Sequence, residues 1–294
     1  MHAGAARWPA ICLSVMAMAH VGTTTSVQAP LPDARQFLAA ARARVASNDR
    51  IQRHFSYTER VTELRFNPFG RMGTDGIVVA EVYPGTDDEL TFRRIIERDG
   101  RPLGPEELAE QDRRYRAKLD DWRSELAHNA RSEGEVRLRR EAAERAHDEA
   151  RTKEALEMFT FVMEKRDVWD GRPAIVVSFT PKPDANPRTR DGRVARSFAG
   201  RAWIDEFEHE LMHLEAKAVD DVSIGFGLIA RMHRGSTVVF SRQKQQGAWL
   251  PVETRVQATG RALLVRRVDV DFVRTYSDYR PFEPSELPAR LGWR

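Results

Sequence analysis

Two kinds of periodicity divide the chain. From Pro30 to Arg53, apolar side chains recur at helical spacing: Phe37, Leu38, Ala41, Val45 and Ile51 form one stripe, and Asp33 is placed to cap the first turn. The period then falls to two. His54–Phe66 and Gly76–Tyr83 predict strands around the turn Asn67-Pro68-Phe69-Gly70, Leu90–Glu97 predicts a third, and Asp99-Gly100 marks a tight reversal. Glu106–Glu157 returns to helical spacing. Leu108, Tyr115, Leu119, Trp122 and Leu126 define one amphipathic helix, Arg131-Ser132-Glu133-Gly134 breaks it, and Val136, Leu138, Ala142, Ala146, Ala150 and Leu156 mark a second. After Met158 nearly everything reads as strand. Phe159–Trp169 and Ala174–Phe179 flank Asp170-Gly171, and Pro181–Gly192 is a polar, proline-rich loop. Val222–Met232 carries the clearest alternation, with Val222, Ile224, Phe226, Leu228, Ala230 and Met232 on one side. Leu250, Val252, Val256 and Ala258 alternate with Glu253, Arg255 and Gln257, and Val268, Val270 and Phe272 alternate with Arg267, Asp269 and Asp271. From Pro281 onward no period is visible.

Strands with one apolar and one wet face, joined by short turns, predict a large twisted antiparallel sheet. Its apolar face must be covered, either by closure on itself or by helices. The two helical elements offer only narrow apolar stripes, so they need not fill the concave side. An incompletely filled apolar concavity is a candidate site for a lipid or an acyl chain. The wall residues expected to line it are Ile224, Phe226, Leu228, Val252, Val256, Val270 and Phe272.

Charge narrows the function classes. The 294 residues carry 47 Lys+Arg and 44 Asp+Glu, a net charge of +3. That balance excludes the clustered cationic excess that displaces counterions from nucleic acid. Between Pro105 and Glu157 there are 12 basic and 15 acidic side chains, so the helical hairpin reads as an element with a solvated outer face. A lid or a partner-docking arm is its functional alternative.

The N-terminus changes the compartment. Arg7 is the only Lys, Arg, Asp or Glu before Asp33, and the apolar run from Trp8 to Ala19 is too short to span a bilayer. Residues 1–29 therefore read as a secretory signal, cut after Ala17-Met18-Ala19 or after Val27-Gln28-Ala29. Cys12, the single cysteine, sits inside that run in a poor context for lipid attachment. The mature chain is then expected to be periplasmic, free of cysteine and without a transmembrane span.

The sharpest chemical motif is His209-Glu210-Leu211-Met212-His213, a formal H-E-x-x-H. On a helix it would bind zinc, with Glu210 as general base. Trp203-Ile204-Asp205 before it and Leu214–Val219 after it predict a hairpin instead. On a strand, positions four apart lie roughly 13 Å from one another, too far to share one metal. There is no G-x-S-x-G elbow, no phosphate-cradling loop and no dinucleotide loop. No cofactor or metal is expected, and the chain reads as a binding protein rather than an enzyme, with a secreted zinc hydrolase as the third reading.

Several short stretches carry a resemblance. They are the exported N-terminus followed by a helix, the strands Tyr57–Phe66 and Gly76–Tyr83, and Arg98-Asp99-Gly100-Arg101-Pro102-Leu103. The closest is Gly200-Arg201-Ala202-Trp203-Ile204-Asp205, followed by His213-Leu214-Glu215, and Trp249-Leu250-Pro251 fits a common strand start. In these the chain resembles the periplasmic lipoprotein-carrier superfamily, the LolA/LppX-like fold with its RseB-type relative. The resemblance spans most of Pro30–Phe282 and leaves out the charged hairpin. It implies a large antiparallel sheet curled into an unclosed barrel with helices in its mouth; with the N-terminal helix and the inserted charged helical hairpin read above, the expected fold is α+β, mainly β. The expected organisation is a signal peptide over 1–29 and a single domain over 30–282, with 105–157 inserted and 283–294 as an irregular tail. The expected function is a periplasmic carrier or chaperone for lipid or a lipidated protein. The alternative is an envelope sensory module that docks a protein partner through the hairpin, and contact with a membrane surface fits either.

Overall fold

The structure is a computed structural model that describes residues 30–67, 70–72, 76–85, 90–128, 150, 152–224, 230–262 and 266–293. The chain divides into Met1–Pro30 and Leu31–Arg294. The expected export signal, 1–29, lies outside the described residues, and the fold below is that of the second unit.

Helix α1 (Ala34–Gln52) forms where the helical stripe predicts it. The Asp33 carboxylate accepts the Gln36 backbone N–H at 2.8 Å, satisfying one of the unpaired donors of the first turn. Among the described residues fourteen strands follow in one sheet. They are β1 (Phe55–Asn67), β2 (Gly70–Met72), β3 (Ile77–Tyr83), β4 (Phe92–Arg98), β5 (Arg101–Pro102), β6 (Phe159–Trp169) and β7 (Arg172–Pro181). Then come β8 (Phe198–Asp205), β9 (Leu211–Ala218), β10 (Val222–Ile224), β11 (Ala230–Met232), β12 (Thr237–Gln245), β13 (Ala248–Ala262) and β14 (Arg266–Pro281). The main path runs β5-β4-β3-β1-β14-β13-β12-β9-β8-β7-β6, with β2 on β1 and the β10–β11 pair on β13. Every pairing is antiparallel. The sheet is not closed into a barrel: β5 and β6 are its two ends.

Tight turns fix the register. Asp99-Gly100, Asp170-Gly171 and Gln246-Gly247 all place both central residues at positive φ, between 46° and 79°. This is the geometry of two-residue hairpin turns whose twist matches the flanking strands.

One sequence expectation is corrected here. Val222–Met232 is not a single strand. Val222 pairs with Met232, and Ile224 with Ala230, so β10 and β11 fold back on each other as a hairpin. Positions of the same parity pair across the two arms, and residues 225–229, which join them, lie outside the described residues. Phe226 and Leu228 themselves lie outside the described residues.

Helix α2 (Pro105–His128) is the first half of the expected hairpin. It does not project as a free arm. Tyr115 stacks on Phe92 with ring centroids 4.2 Å apart, and its hydroxyl donates to the Leu90 carbonyl. Gln111 bonds both the N–H and the C=O of Ile95 in β4, at 2.8 and 2.9 Å, and Asp112 accepts from Arg94 at 2.9 Å. The second half of the hairpin falls largely on 129–149, outside the described residues, and helix is described again over 152–157. The tail, where no period was visible, makes a 3-10 turn (Pro284–Glu286) and a helical turn (Leu287–Arg290). It joins α2 because Phe282, Leu287, Leu291 and Trp293 pack with Phe92 and Tyr115.

Candidate functional site

The α1 stripe from Phe37 to Val45 lies on one face of β6–β9. Phe37 and Ala41 are buried against Ile175, Val177, Ala202 and Ile204, with Leu38, Phe161, Met163 and Leu211 packed around them. The fit is incomplete. A cavity of about 150 Å³ remains between Leu38, Ala41, Arg42 and Val45 of α1 and Phe161, Phe179, Ala202, Ile204, Leu211 and Leu214 of the sheet, and its lining is almost entirely apolar. Leu156, from the helical stretch 152–157, and Phe159 complete the lining. That stretch is held in place by Glu154, whose carboxylate accepts the backbone N–H of Thr189 at 2.9 Å and that of Arg188. These bonds pull the Glu154 carboxyl below its ordinary range.

His209 also lines the cavity, and the turn between β8 and β9 puts it there. Asp205 ends β8 fully buried. Its carboxylate accepts the N–H groups of Phe207 and Glu208 at 2.9 and 2.7 Å and the Arg172 guanidinium at 2.7 Å. The turn so fixed carries His209 at φ 60° and sets its ring 5.1 Å from that of Phe37. Glu208 closes the outer side of the turn. Its bonds from Trp249 and Lys244, with Arg172 nearby, pull its carboxyl down to about 2. The Trp-hydrophobic-Asp strand of the sequence reading therefore turns back into a Leu-Glu-bearing strand, as expected.

The H-E-x-x-H residues are not brought together. They run through a turn into strand β9, not along a helix. Glu210 is buried and lies 3.8 Å from Arg44. His213 lies on the face away from α1. Its ring stacks on Trp169 at 3.8 Å and meets the edge of Trp203 at 5.1 Å. Nδ1 is 2.8 Å from the Ser241 hydroxyl and Nε2 is 3.2 Å from Glu215. With Nε2 donating to the carboxylate, Nδ1 accepts from the hydroxyl, and both nitrogens are engaged. Burial lowers the His213 pKa despite the raising influence of Glu215. Among the described residues, no group of three His, Cys, Asp or Glu side chains is arranged to hold a metal, and no helix is long and apolar enough to cross a membrane.

The expected wall residues fall elsewhere on the sheet. Val252, Val256, Val270 and Phe272 are half-buried on β13 and β14, and Ile224 is in β10. Val252, Val256, Val270 and Phe272 are not in the cavity lining. Val256 and Phe272 nevertheless share its face. Directly paired positions run Phe161–Phe179–Gly200–Ala216–Val238–Val256–Phe272, from β6 to β14. Strands are spaced about 4.8 Å apart, so the six steps of this row span roughly 29 Å. An incompletely filled apolar space was expected, but not the residues that line this one. Its mark is Leu38-Ala41-Arg42-Val45, an i, i+3, i+4, i+7 stripe with an arginine in an apolar place.

No protein-family model matches the chain, and no curated protein does. Solved structures with which it aligns include a domain described as an outer membrane lipoprotein-sorting protein from Vibrio parahaemolyticus. That one is 10% identical over 89% of this chain and 100% of that one, with a TM-score of 0.36. A LolA superfamily protein from Nitrosomonas europaea is 12% identical over 86% of this chain and 94% of its own, with a TM-score of 0.31. The MucA/MucB complex structure from Pseudomonas aeruginosa aligns at 10% identity over 83% and 99%, with a TM-score of 0.21.

Proposed function

We propose that this chain binds an acyl chain, of a lipid or of a lipidated protein, between α1 and the sheet, and that it does so as a periplasmic carrier or chaperone after export. The observation that carries the reading is the apolar cavity under α1. Its size sets the terms. At about 30 Å³ per water-sized group, 150 Å³ takes roughly five methylenes. Each buried methylene contributes about 0.8 kcal/mol, so the cavity alone supplies about 4 kcal/mol, a millimolar affinity. A longer chain must either shift α1 or displace the side chains packed around Gly200 and Ala216 to reach Val256 and Phe272. A partner-docking arm has less support, because the Tyr115 side of α2 is already occupied by β4 and the tail.

Native mass spectrometry of protein taken from an envelope fraction tests the reading. A bound lipid mass, and uptake of a fluorescent fatty acid by the stripped protein, are the expected results. A clean unliganded mass together with no uptake overturns it.

A further inference from the structure

The cavity has a chemical polarity of its own. Among the described residues that line it, Arg42 alone carries a permanent charge, and no carboxylate is present. The chain holds 44 acidic residues, so their absence from this lining is selective. The acids nearest in sequence to His209 are all taken up by other bases. Asp205 and Glu208 bond Arg172, Glu206 bonds Arg166, and Glu210 pairs with Arg44. Arg42 is exposed and stands over the Phe161 ring, 5.1 Å from its centroid. A guanidinium on an aromatic face is positioned, yet all its N–H donors remain free to bind an anion. Its side chain thus joins a dry cavity to water with a fixed positive end.

We infer that the cavity selects a single-chain amphiphile with an anionic head, a fatty-acid carboxylate, and that Arg42 holds that head. The inference rests on the acyl-chain reading above and adds the head group to it. The tail enters between Leu38, Val45 and Phe161 while the carboxylate stays at the surface on Arg42, so no charge is buried. Guanidinium and carboxylate match as a two-pronged pair. Because the site is exposed, the pair acts near the weak end of charge-assisted bonds, roughly a five- to tenfold gain in affinity.

Palmitate and hexadecanol, which share a tail and differ in charge, are the probes, each measured by displacement of a fluorescent acyl probe from the full mature chain. The expected result is a preference for palmitate of roughly five- to tenfold that shrinks as salt is raised. Arg42→Gln should bring palmitate down to the level of hexadecanol, and Arg42→Lys should keep part of the preference. Equal binding of the two probes by the natural chain, or a preference that survives in Arg42→Gln, overturns the head-group inference and leaves the acyl-chain reading standing. Failure of both probes to bind overturns the acyl-chain reading as well. Arg42 is exposed, so an unchanged melting temperature is expected of both variants and confirms that they are folded.

Discussion

Filling the cavity from within separates a real void from a tightly packed core. Ala202 is buried on β8 and lines the cavity directly beneath α1. Ala202→Leu adds three carbon atoms, about 90 Å³ at 30 Å³ each. That is more than half of the 150 Å³ present. If the space is there, the new side chain enters it and gains up to about 2 kcal/mol of burial, offset by about 1–3 kcal/mol of imperfect fit. Net stability should then stay within about 1 kcal/mol, a shift in melting temperature of about 2–4 °C either way. Binding should fall steeply. About three methylenes of ligand are displaced, a loss near 2.4 kcal/mol or about fiftyfold in affinity. Thermal unfolding and fluorescent fatty-acid titration measure the two quantities on the same sample. A drop of about 10 °C would mean that α1 already closes on the sheet. Full affinity in a folded Ala202→Leu protein would mean that the acyl chain lies elsewhere.

Three further predictions concern the frame that holds the cavity. A methyl group on Gly200 would collide with the Glu215 carbonyl and come within 2.8 Å of both Ala216 Cα and the Phe179 ring, so Gly200→Ala should cost about 3 kcal/mol in urea unfolding; an unchanged midpoint would show that β8 and β9 can part there freely. Asp205→Ala strips a fully buried carboxylate from Arg172 and the turn, and should cost about 3 kcal/mol and lower fatty-acid affinity by misplacing His209; retention of both stability and affinity would refute the turn's role. Burial holds the His213 pKa below its ordinary value, so below about pH 6.5 the unfolded chain takes up the proton first. Stability is therefore full above that pH and is lost as pH falls, by at most about 1.4 kcal/mol per unit, and His213→Gln should flatten the slope between pH 7 and pH 5; an identical slope in the variant would sink this assignment.

Much of the fold is legible because its elements obey one period each. The α1 stripe, the capping Asp33 and the Asp99-Gly100 and Asp170-Gly171 turns are all local features, and local chemistry decides them. Val222–Met232 misled for a definite reason. A hairpin whose two arms keep the same parity looks, along the chain, like one long strand. The cavity was harder to see, because it depends on where α1 lands. The helix covers β6–β9, which follow it by more than a hundred residues, and no local pattern reports that docking. The clean alternation on β13 and β14 marks a sheet face without marking where the helix lands, and Phe159 and Phe161 at the start of β6 stand out no more than it does.

The two sets of residues are nonetheless parts of one surface. The register carries Phe161 and Phe179, which line the cavity, across to Val256 and Phe272, which do not. The row changes character as it goes. It holds two phenylalanines under α1, passes through the small residues Gly200 and Ala216, and returns to larger ones at Val238, Val256 and Phe272. At Glu63, the partner of Phe272 on β1, it turns charged. A rigid cavity for about five methylenes is too short for a whole acyl chain, whereas an apolar row about 29 Å long is not. At its middle the Phe179 ring sits over Gly200, and Phe198 and Val238 pack with Ala216, so a chain that runs from one end to the other has to displace those side chains. If they give way, the expected wall and the observed cavity are two ends of one path, and the ordering of the two mutational effects distinguishes this from a closed pocket. On a continuous path, Val256→Asp weakens palmitate but leaves a short-chain probe such as hexanoate unaffected, while Ala202→Leu weakens both. If Val256→Asp leaves palmitate untouched in a folded protein, the path ends under α1.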